Sequence, residues 1–524
     1  MRCTFVIVIL AIFINYVHNA RILGLFAHTG KSHYMVFEPL LKELSERGHH
    51  VTVASFFPLQ NPPANYTNVS LQGIANVGLE TLNLSSFESR SILFRTPVIG
   101  EVLERVSTID AFAAMALNIC SKAVDWPPLV NALKEKYDVV LTESFTSDCM
   151  LGLLHVYEIK APVIALSTCT LIPWVPDRIG VTNNPSYIPV ATGSWTASMN
   201  FIQRIQNTLM SIYYYLWFHI AVQKKEKTII EKHFGMEVPL YDLSINMTMV
   251  LVNTFHSLNG VRPLLPGLVE VGGMHLDHTR KPLPAYIERF LNESEHGVVL
   301  FSFGSLIKTS TIPKHKEEII VKALSKLKQR VIWKYEDSEE EGTLSGNILK
   351  VRWLPQYELL RHKKVVAFIA HGGLLGMTEA VSAGKPMVVV PFFGDQPSNA
   401  ASAEFAGFAK VLQYSELTEE SLSAALESVL SAEMRLQART VSKIWNDRQN
   451  PPLDTAVYWV ERVLRWGPAA KLHSPARDLA FYEYALLDVA AAFIAIILVT
   501  LALLWYTLSK LSRMFLKESK QKLH

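Results

Sequence analysis

The chain has 524 residues, enough for two domains with shorter segments beside them. Its formal net charge of +3 gives no case for nucleic-acid binding. Four cysteines are too few for a disulfide scaffold, and no Cys/His group has the spacing of metal ligands, so we predict no bound metal. We expect Cys120, Cys149 and Cys169 to be buried apolar residues, with at least one thiol unpaired because three is odd.

The first twenty residues are typical of a signal peptide. Arg2 supplies the positive start, Phe5–Ile14 the apolar core and Ala20 the small residue at the cleavage position. A buried first strand is the alternative interpretation of this segment.

A βαβ unit is predicted directly after this segment. Arg21–Ala27 and His49–Phe56 have the apolar runs of buried strands, and Tyr34–Arg47 between them has a helical pattern. Ligands of such sheets bind beyond the carboxyl ends of the strands, where His33 falls. Because a helix N-terminus lowers the pKa of a histidine, His33 is predicted to be a neutral imidazole that can accept a proton.

Two carboxylates follow another predicted strand, Tyr137–Thr142. Glu143 stands just past its end, and Asp148 follows five residues later. Each is either a functional carboxylate or a solvated loop residue, and the residues alone leave this open.

A second doubly wound domain is predicted after a linker. The segment Arg262–Gly273 has the prolines and glycines of an interdomain connection. The apolar run Gly297–Ser305 then starts a new sheet. At the end of this run, Gly304 and Ser305 offer a backbone N–H and a hydroxyl to an anion.

The most informative stretch runs from Trp353 to Asn399. It contains an apolar strand at Val365–Ala370, the glycine turn HGG at 371–373 and a helix at Leu374–Ser382. This combination favours a diphosphate site, because free N–H groups and the helix dipole face the anion.

A membrane-spanning helix is predicted further along the chain. The run Val489–Ser509 is uncharged and mostly apolar, and it spans roughly 30 Å as a helix, the thickness of a bilayer core. A basic tail follows, with Glu518 as its single acid, so the positive-inside rule places this tail in the cytosol. The final KQKLH resembles a dilysine retrieval signal of the endoplasmic reticulum.

Five asparagines lie in N-x-S/T sequons, which support passage through the secretory lumen. They are Asn65, Asn68, Asn83, Asn246 and Asn292. The first two are too close together for glycosylation of both to be expected.

The motifs WLPQ at 353–356, HGG at 371–373 and DQ at 395–396 resemble, at these spacings, the signature of the membrane-bound animal UDP-glycosyltransferases. The similarity continues through the mature chain, and HGGLLG looks like the insect branch. It implies an α/β fold with two Rossmann-like doubly wound domains facing across a cleft (the GT-B type), plus one C-terminal transmembrane helix. The expected segments are a signal peptide at 1–20, an acceptor-binding domain at 21–265, a UDP-sugar-binding domain with a return helix at 266–470, a juxtamembrane segment at 471–487, the transmembrane helix at 488–508 and a cytosolic tail at 509–524.

The resemblance also implies the catalytic residues. His33 matches the family's catalytic base, with which an aspartate pairs in the family and holds the imidazole tautomer. Simple alignment puts Glu143 at that aspartate, which is a departure, whereas Asp148 restores the residue type if the loop shifts. We rank Asp148 slightly ahead, because the longer Glu143 side chain carries its carboxylate further out, and both stay candidates.

A UDP-sugar site is implied in the second domain, with no other cofactor. By resemblance, its residues are Trp353 and Gln356 for the nucleoside, Glu379 for the ribose, Arg262, Gly304, Ser305, His371, Gly372 and Gly373 for the diphosphate, and Asp395 and Gln396 for the sugar.

The implied reaction is metal-independent transfer of a hexose, with inversion, from a UDP-sugar to a hydroxyl of a small lipophilic acceptor, for detoxification or clearance. UDP-glucose is favoured as donor by analogy with the insect branch, and UDP-glucuronate is the alternative. The implied location is the endoplasmic reticulum membrane, single-pass type I, with the catalytic domains in the lumen. Whether the chain forms a homo-oligomer stays open.

Two departures and two rival functions accompany this interpretation. Ala370 stands where a hydroxyl residue often precedes HGG, and Leu375 stands where an asparagine is frequent, which removes a polar phosphate contact. One rival is a non-catalytic membrane-anchored binder, against which His33 and the DQ pair argue. The other is a sugar-nucleotide epimerase, against which the luminal signal and the anchor argue.

Overall fold

The computed structural model describes residues 19–88, 99–277, 279, 281–470 and 472–521, so most of the predicted signal peptide lies outside the described residues. The described residues form two compact units, one ending at His473 and the other beginning at Ser474. The first unit contains two large sheets, one in each half of its sequence.

The N-terminal half is built on a parallel sheet whose central strands are apolar on both faces, as in sheets covered by helices on both sides. Its strands are β1 Arg21–Phe26, β2 His50–Ser55, β3 Tyr66–Ser70, β5 Val139–Glu143, β6 Val163–Ser167, β7 Met249–Val252 and β8 Leu268–Glu270, while the short β4 Leu82–Asn83 pairs elsewhere. The order in the sheet is β3-β2-β1-β5-β6-β7-β8. The sheet therefore continues past the expected domain limit at residue 265.

Helices flank this sheet. They are α1 Lys31–Glu46, α2 Ile99–Ala123, α3 Pro127–Leu133, α4 Cys149–Val156, α5 Phe201–Trp217, α6 Lys224–Phe234, α7 Leu240–Ile245 and α8 His256–Asn259, with a π-helical turn Phe218–Gln223 between α5 and α6 and 3-10 turns at Leu84–Phe87 and Pro176–Arg178. Helix α1 starts earlier than predicted, so His33 lies within its first turn.

The C-terminal half is built on a second, mostly parallel sheet. Its strands are β9 Val298–Ser302, β11 Arg330–Lys334, β12 Thr343–Ser345, β13 Ile348–Val351, β14 Val365–Ala370, β15 Met387–Val389 and β16 Ala409–Val411, while β10 Ile307–Lys308 pairs with β4. The order is β12-β13-β11-β9-β14-β15-β16, with β12 antiparallel. The exposed β12 forms one edge of this sheet.

The helices of this half are α9 Ala285–Asn292, α10 Lys314–Ser325, α11 Gln356–Arg361, α12 Leu374–Ser382, α13 Gln396–Phe405, α14 Glu419–Leu430, α15 Ala432–Asn446 and α16 Pro452–Trp466, with 3-10 turns at Thr309–Thr311, Tyr414–Glu416 and Gly467–Ala470. Helix α12 and strand β14 have the predicted bounds.

The strand orders confirm the predicted fold class of two doubly wound Rossmann-like sheets. In such sheets the strand order reverses at one point, and ligands bind there beyond the carboxyl ends. The reversal lies between β1 and β5 in one sheet and between β9 and β14 in the other. The residues that follow β1 and β14, and the last residue of β5, are therefore the ones positioned to act on a ligand.

The two halves exchange elements. Strand β4 of the N-terminal half pairs with β10, and the fully buried Leu84 beside it packs in the core around β9 and β11. In the other direction, α16 buries Val457 and Val460 in the core that β1 and α1 share. Each core is thus completed by the other half of the sequence.

Cys120, Cys149 and Cys169 are all buried, as expected. Cys120 at the end of α2 and Cys149 at the start of α4 form a disulfide, a pairing that the sequence analysis did not predict. Cys169 is buried and is a free thiol, as the odd number required. The disulfide joins α2 to α4. The spacing of the cysteines in the sequence does not show that these two helices are neighbours.

The second unit is helical. It contains a 3-10 turn at Pro475–Asp478 and the helices α17 Phe481–Tyr484 and α18 Leu487–Gln521. The part of α18 from Leu487 to Leu516 is long and apolar enough to cross a membrane, by length and composition.

Replacing Leu84 by alanine should destabilise the C-terminal half, because the side chain is fully buried in its core. We expect a loss of about 2–5 kcal/mol in the free energy of unfolding. The check is urea denaturation of the detergent-solubilised chain. The exposed Ser85→Ala is the matched control, and an equal midpoint for the two variants would contradict the role of this segment.

Candidate active site

A cleft of about 510 Å³ lies where the carboxyl edges of the two sheets meet. Both halves line it, and its volume is in the range of small-molecule sites. Each half contributes the residues at its own point of strand reversal, which puts His33 on one wall and His371 on the other.

His33 and Glu143 form a hydrogen-bonded pair on the N-terminal wall. Nδ1 of His33 lies 2.5 Å from Oε1 of Glu143 and 3.1 Å from the hydroxyl of Thr168. With the proton on Nδ1 donated to the carboxylate, Nε2 keeps its lone pair and can accept a proton. Burial lowers the pKa of His33 to about 4 and raises the pKa of Glu143 to about 7.

Asp148 does not contact His33, and the ranking of Asp148 ahead of Glu143 is corrected by this geometry. Its carboxylate lies 2.8 Å from Nη2 of Arg178 and accepts a hydrogen bond from the amide of Gln223. Asp148 and Arg178 are both almost completely buried. The buried guanidinium of Arg178 requires this carboxylate as its counter-charge, so Asp148 belongs to the core. Glu143, the last residue of β5, is the carboxylate that contacts the imidazole of His33.

His28 lies beside this pair. Its ring stacks on that of His33, with centroids 3.9 Å apart and planes inclined by 19°. Ligand atoms of His28, His33 and Glu143 lie within 4.8 Å of one another, which is close enough for a metal ion. However, Nδ1 of His33 is hydrogen-bonded to Glu143. Nδ1 of His28 accepts the N–H of Gly30, so neither Nδ1 is free to bind a metal. The three residues therefore suit a proton-transfer site better than a metal centre.

His371 dominates the opposite wall. A Cβ on Gly304 would lie 2.7 Å from the His371 ring, and a Cβ on Gly373 would lie 2.4 Å from the same ring. Only glycine at both positions therefore leaves room for the imidazole. Its Nδ1 is buried without a hydrogen-bond partner among the described residues, and burial lowers its pKa to about 4. Helix α12 begins next to it, and no side chain caps its N-terminus. The free N–H groups and the ring together form a cradle for an anion.

Trp353, Gln356 and Glu379 lie together along the cleft. The indole is half exposed, and Nζ of Lys31, from the other half, lies 5.1 Å from its ring centroid. The amide nitrogen of Gln356 donates to Glu379 at 2.6 Å. Burial raises the pKa of Glu379 to about 7, against the effect of this hydrogen bond. The group presents an aromatic face beside carboxylate and amide acceptors, which fits a nucleoside.

Asp395 and Gln396 lie where α13 begins, and both line the cleft. The oxygen of the Gln396 side chain accepts N–H groups of Phe392 and Phe393, so its amide nitrogen is the part left for a ligand. Asn399 donates to Asp395 at 2.9 Å and to the carbonyl of Gly372 at 3.0 Å. This amide therefore joins the carboxylate to the HGG turn.

Two residues expected at the diphosphate are not among those that line the cleft. Arg262 is not among the residues that line the cleft, and it lies near Glu270 and Tyr187. The connection that carries Arg262 runs on into β8, and its role at a diphosphate stays a prediction. Gly372 also lies behind the surface of the cleft, where its left-handed backbone, with a φ of +85°, makes the turn. Ser305, in contrast, does line the cleft.

The N-terminal wall beyond His33 is mainly apolar and aromatic. This region suits a lipophilic molecule. It is formed by Met35, Ile109, Phe112, Phe145, Ile172, Trp174 and Tyr214.

Four residues at the cleft or next to it were missed by the sequence analysis. Thr168 directly follows β6, the strand next to β5. This position at the carboxyl end of a neighbouring strand could have identified it as a residue of the cleft. Asn399 stands one helical turn after Asp395, a spacing that predicts contact. Nothing in the sequence marks His28 or the buried Lys334, which lines the cleft and lies 2.7 Å from Glu336.

The sequons differ in accessibility. Asn83, Asn246 and Asn292 are exposed, and Asn65 is half-buried. The side chain of Asn68 both donates to and accepts from the backbone of Leu59. A glycan on Asn68 would break these two bonds, so it is the least suited of the five.

Comparisons with known proteins agree with this geometry. The family described as "UDP-glucoronosyl and UDP-glucosyl transferase" matches residues 23–522. The chain is 35% identical over 509 residues to UDP-glycosyltransferase UGT5 of Dactylopius coccus (96% of this chain, 94% of that protein). It is 33% identical to UDP-glucosyltransferase 2 of the same insect (90% and 89%) and 31% identical to UDP-glucuronosyltransferase 2B15 of Rattus norvegicus (94% and 93%).

A solved structure, that of the glycotransferase of kitacinnamycin, has a similar fold. It superposes with a TM-score of 0.54 over 85% of this chain and 99% of that chain, at 19% identity. At this identity the likeness shows the shared GT-B fold.

Replacing Asp148 by asparagine should destabilise the protein, because it removes the carboxylate that forms the ion pair with the buried Arg178. We expect a loss of about 3–5 kcal/mol in the free energy of unfolding. Thermal and urea unfolding measure it, with the exposed Asp125→Asn as control. A stable Asp148→Asn protein would show that the ion pair has no structural role.

Proposed function

The chain belongs to the UDP-glucuronosyl and UDP-glucosyl transferase family and is a UDP-glycosyltransferase, and from this premise we propose that it transfers glucose, with inversion, to a hydroxyl of a small lipophilic acceptor. The observation that carries the mechanism is the His33–Glu143 pair, which faces the anion cradle around His371 across one cleft.

His33 is the general base of this reaction. Its Nε2 takes the proton of the acceptor hydroxyl while Glu143 stabilises the imidazolium through Nδ1–H. The acceptor oxygen then attacks the anomeric carbon from the face opposite UDP. A new carbon–oxygen bond forms as the bond to the diphosphate breaks, so the configuration inverts in one step.

The C-terminal wall holds the donor. Trp353 stacks on the uracil, Gln356 bonds the nucleoside and Glu379 accepts the ribose hydroxyls. Asp395 and the amide nitrogen of Gln396 bond the sugar hydroxyls. This assignment is supported by the position of all five along one continuous face of the cleft.

The diphosphate lies at the N-terminus of α12. The free N–H groups of this helix, the hydroxyl of Ser305 and the imidazole of His371 stabilise the charge that develops as UDP leaves. The buried Nδ1 of His371 without a partner supports a ligand at this position. In our mechanism these groups stabilise the charge on the leaving UDP without a metal ion.

UDP-glucose is the donor we favour. The insect relative that is 33% identical is named a UDP-glucosyltransferase, while the rat relative is named a UDP-glucuronosyltransferase. Leu375 lines the cleft with an apolar side chain near the start of α12, which offers no polar contact to a further carboxylate. Clearance of foreign or endogenous lipophiles is the role that such an acceptor range would serve.

We place the protein in the endoplasmic reticulum membrane with its catalytic part in the lumen. The disulfide between Cys120 and Cys149 fits an oxidising compartment. Exposed sequons at Asn83, Asn246 and Asn292 fit the same side of the membrane. The apolar part of α18 followed by basic residues fits a single span with a cytosolic tail.

Replacing His33 by alanine should reduce transfer by ~10²–10⁴ because the base is removed. The measurement uses microsomes expressing the chain, methylumbelliferone as acceptor, and radiolabelled UDP-glucose or UDP-glucuronate. UDP binding should persist, because His33 lies on the opposite wall from the nucleotide residues.

The exposed His50→Ala is the matched control and should behave as the wild type. Transfer that survives in His33→Ala would exclude His33 as the base. No transfer from either donor by the wild type, over a panel of acceptors and with UDP still bound, would favour a non-catalytic binder. Transfer from UDP-glucuronate alone would overturn the assigned donor.

The acid limb of the pH profile of kcat/KM should follow the protonation of the His33–Glu143 pair. Its active form has an unprotonated Nε2 and an ionised Glu143, and burial raises the pKa of Glu143 to about 7. As the pH falls below this value the pair takes up a proton and kcat/KM should fall. In Glu143→Gln this limb should move to lower pH, because burial lowers the pKa of the remaining His33 to about 4.

The same Glu143→Gln variant should have a kcat lower by ~10²–10⁴. Asp125→Asn, outside the cleft, should keep the wild-type profile. An unchanged limb in Glu143→Gln would show that another group sets it.

A further inference from the structure

His28 has no role in the reaction proposed above, although its imidazole is held against the base. Gly30 permits this contact, since a Cβ there would lie 2.9 Å from the ring of His28 and 3.3 Å from that of His33. Phe145 meets both rings edge-on, at 5.3 Å and 4.7 Å between centroids. The three rings thus form a cluster in which the His33 ring contacts a parallel imidazole face and the Phe145 ring.

The hydrogen bonds of His28 define its tautomer. The backbone N–H of Gly30 donates to Nδ1 at 3.0 Å, so the neutral ring carries its proton on Nε2. Burial keeps the ring neutral by lowering its pKa to about 3. This Nε2 is buried and has no hydrogen-bond partner in the part of the chain that the structure describes. A buried donor is costly unless an acceptor is found for it.

A small cavity beside His28 has room for a water molecule that would accept this hydrogen bond. It has a volume of about 30 Å³, and both His28 and Glu143 line it, together with the polar residues Thr142, Ser147 and Asp148. This is room for an ordered water molecule. Polar atoms of His28 and Glu143 lie within 4.8 Å of each other, a separation that one water can bridge.

We propose that His28 is a positioning residue for the base, acting on His33 through the ring stack and on the carboxylate of Glu143 through a water in the small cavity. The proposal rests on the proposed function of His33. His28 neither gives nor takes a proton in the reaction. It holds the imidazole plane, and its Nε2–H donates through the water to the ionised form of Glu143, which favours that form.

The other charged groups near Glu143 are accounted for. His28 lies on the turn before α1 and His33 in the first turn of that helix, and the thiol of Cys169, whose pKa burial raises, follows β6. Asp148, on the loop after β5, is matched by Arg178. His28 is therefore the neutral donor best placed to stabilise the Glu143 carboxylate against these neighbours.

Two substitutions separate the two actions of His28. His28→Phe keeps an aromatic face but removes the Nε2–H donor. His28→Gln keeps an N–H donor near the same place but removes the ring. His28→Ala removes both, and the exposed His50→Ala is the control. All are measured in microsomes as pH profiles of kcat and kcat/KM, with the melting midpoint of each full-length variant as a check on folding.

In His28→Phe we expect the acid limb to move up by about one pH unit, the tenfold change in proton affinity that a hydrogen bond to a charged group supplies. In His28→Gln the limb should stay near its wild-type position while kcat falls about tenfold. KM for the donor should stay unchanged in both, because the nucleotide residues lie on the other wall.

An unmoved acid limb in both His28→Phe and His28→Ala, with wild-type melting midpoints, would overturn the proposal. So would a change confined to KM. If His33→Ala is fully active, the proposed function itself fails, and that result is obtained independently of the His28 variants.

Discussion

The hydrogen bond between His33 and Glu143 depends on the register of two neighbouring strands. Glu143 ends β5, and the segment that leaves the adjacent β1 carries His28 and then His33 at the start of α1. Successive side chains on a strand point to opposite faces, so a shift of β5 by one residue would turn the carboxylate away from the imidazole. The parallel ladder between the two strands, buried on both faces, therefore fixes the position of the proposed base before any ligand is bound.

The same topology serves a different chemistry in the other half. Where β9 and β14 end side by side, Gly304 and Gly373 leave space for a buried ring, and a helix N-terminus without a side-chain cap lies next to it. In the proposed mechanism, one wall of the cleft accepts a proton and the other stabilises an anion. An alkoxide forming on one side and a diphosphate leaving on the other need these two environments at the same time.

How far the sequence predicted the molecule depended on the range of the interactions. Apolar runs bounded by glycine predicted β14 and α12 with their correct limits, because the signal is local. The sequence did not decide which carboxylate pairs with His33. Asp148 is excluded by its ion pair with the buried Arg178, which lies thirty residues away in the chain. The β4–β10 pairing and the Cys120–Cys149 disulfide were missed for the same reason. Contacts between distant segments leave little trace in local pattern.

The exchange of elements between the halves limits how this protein can be recombined with its relatives. A single crossover in the linker would separate Leu84 from the core that it fills in the second half, and would separate α16 from the first-half core that it completes. A hybrid with a new N-terminal wall of the cleft would have to carry the 82–87 segment and α16 with the halves whose cores they complete. The two walls of the cleft therefore do not belong to two exchangeable modules.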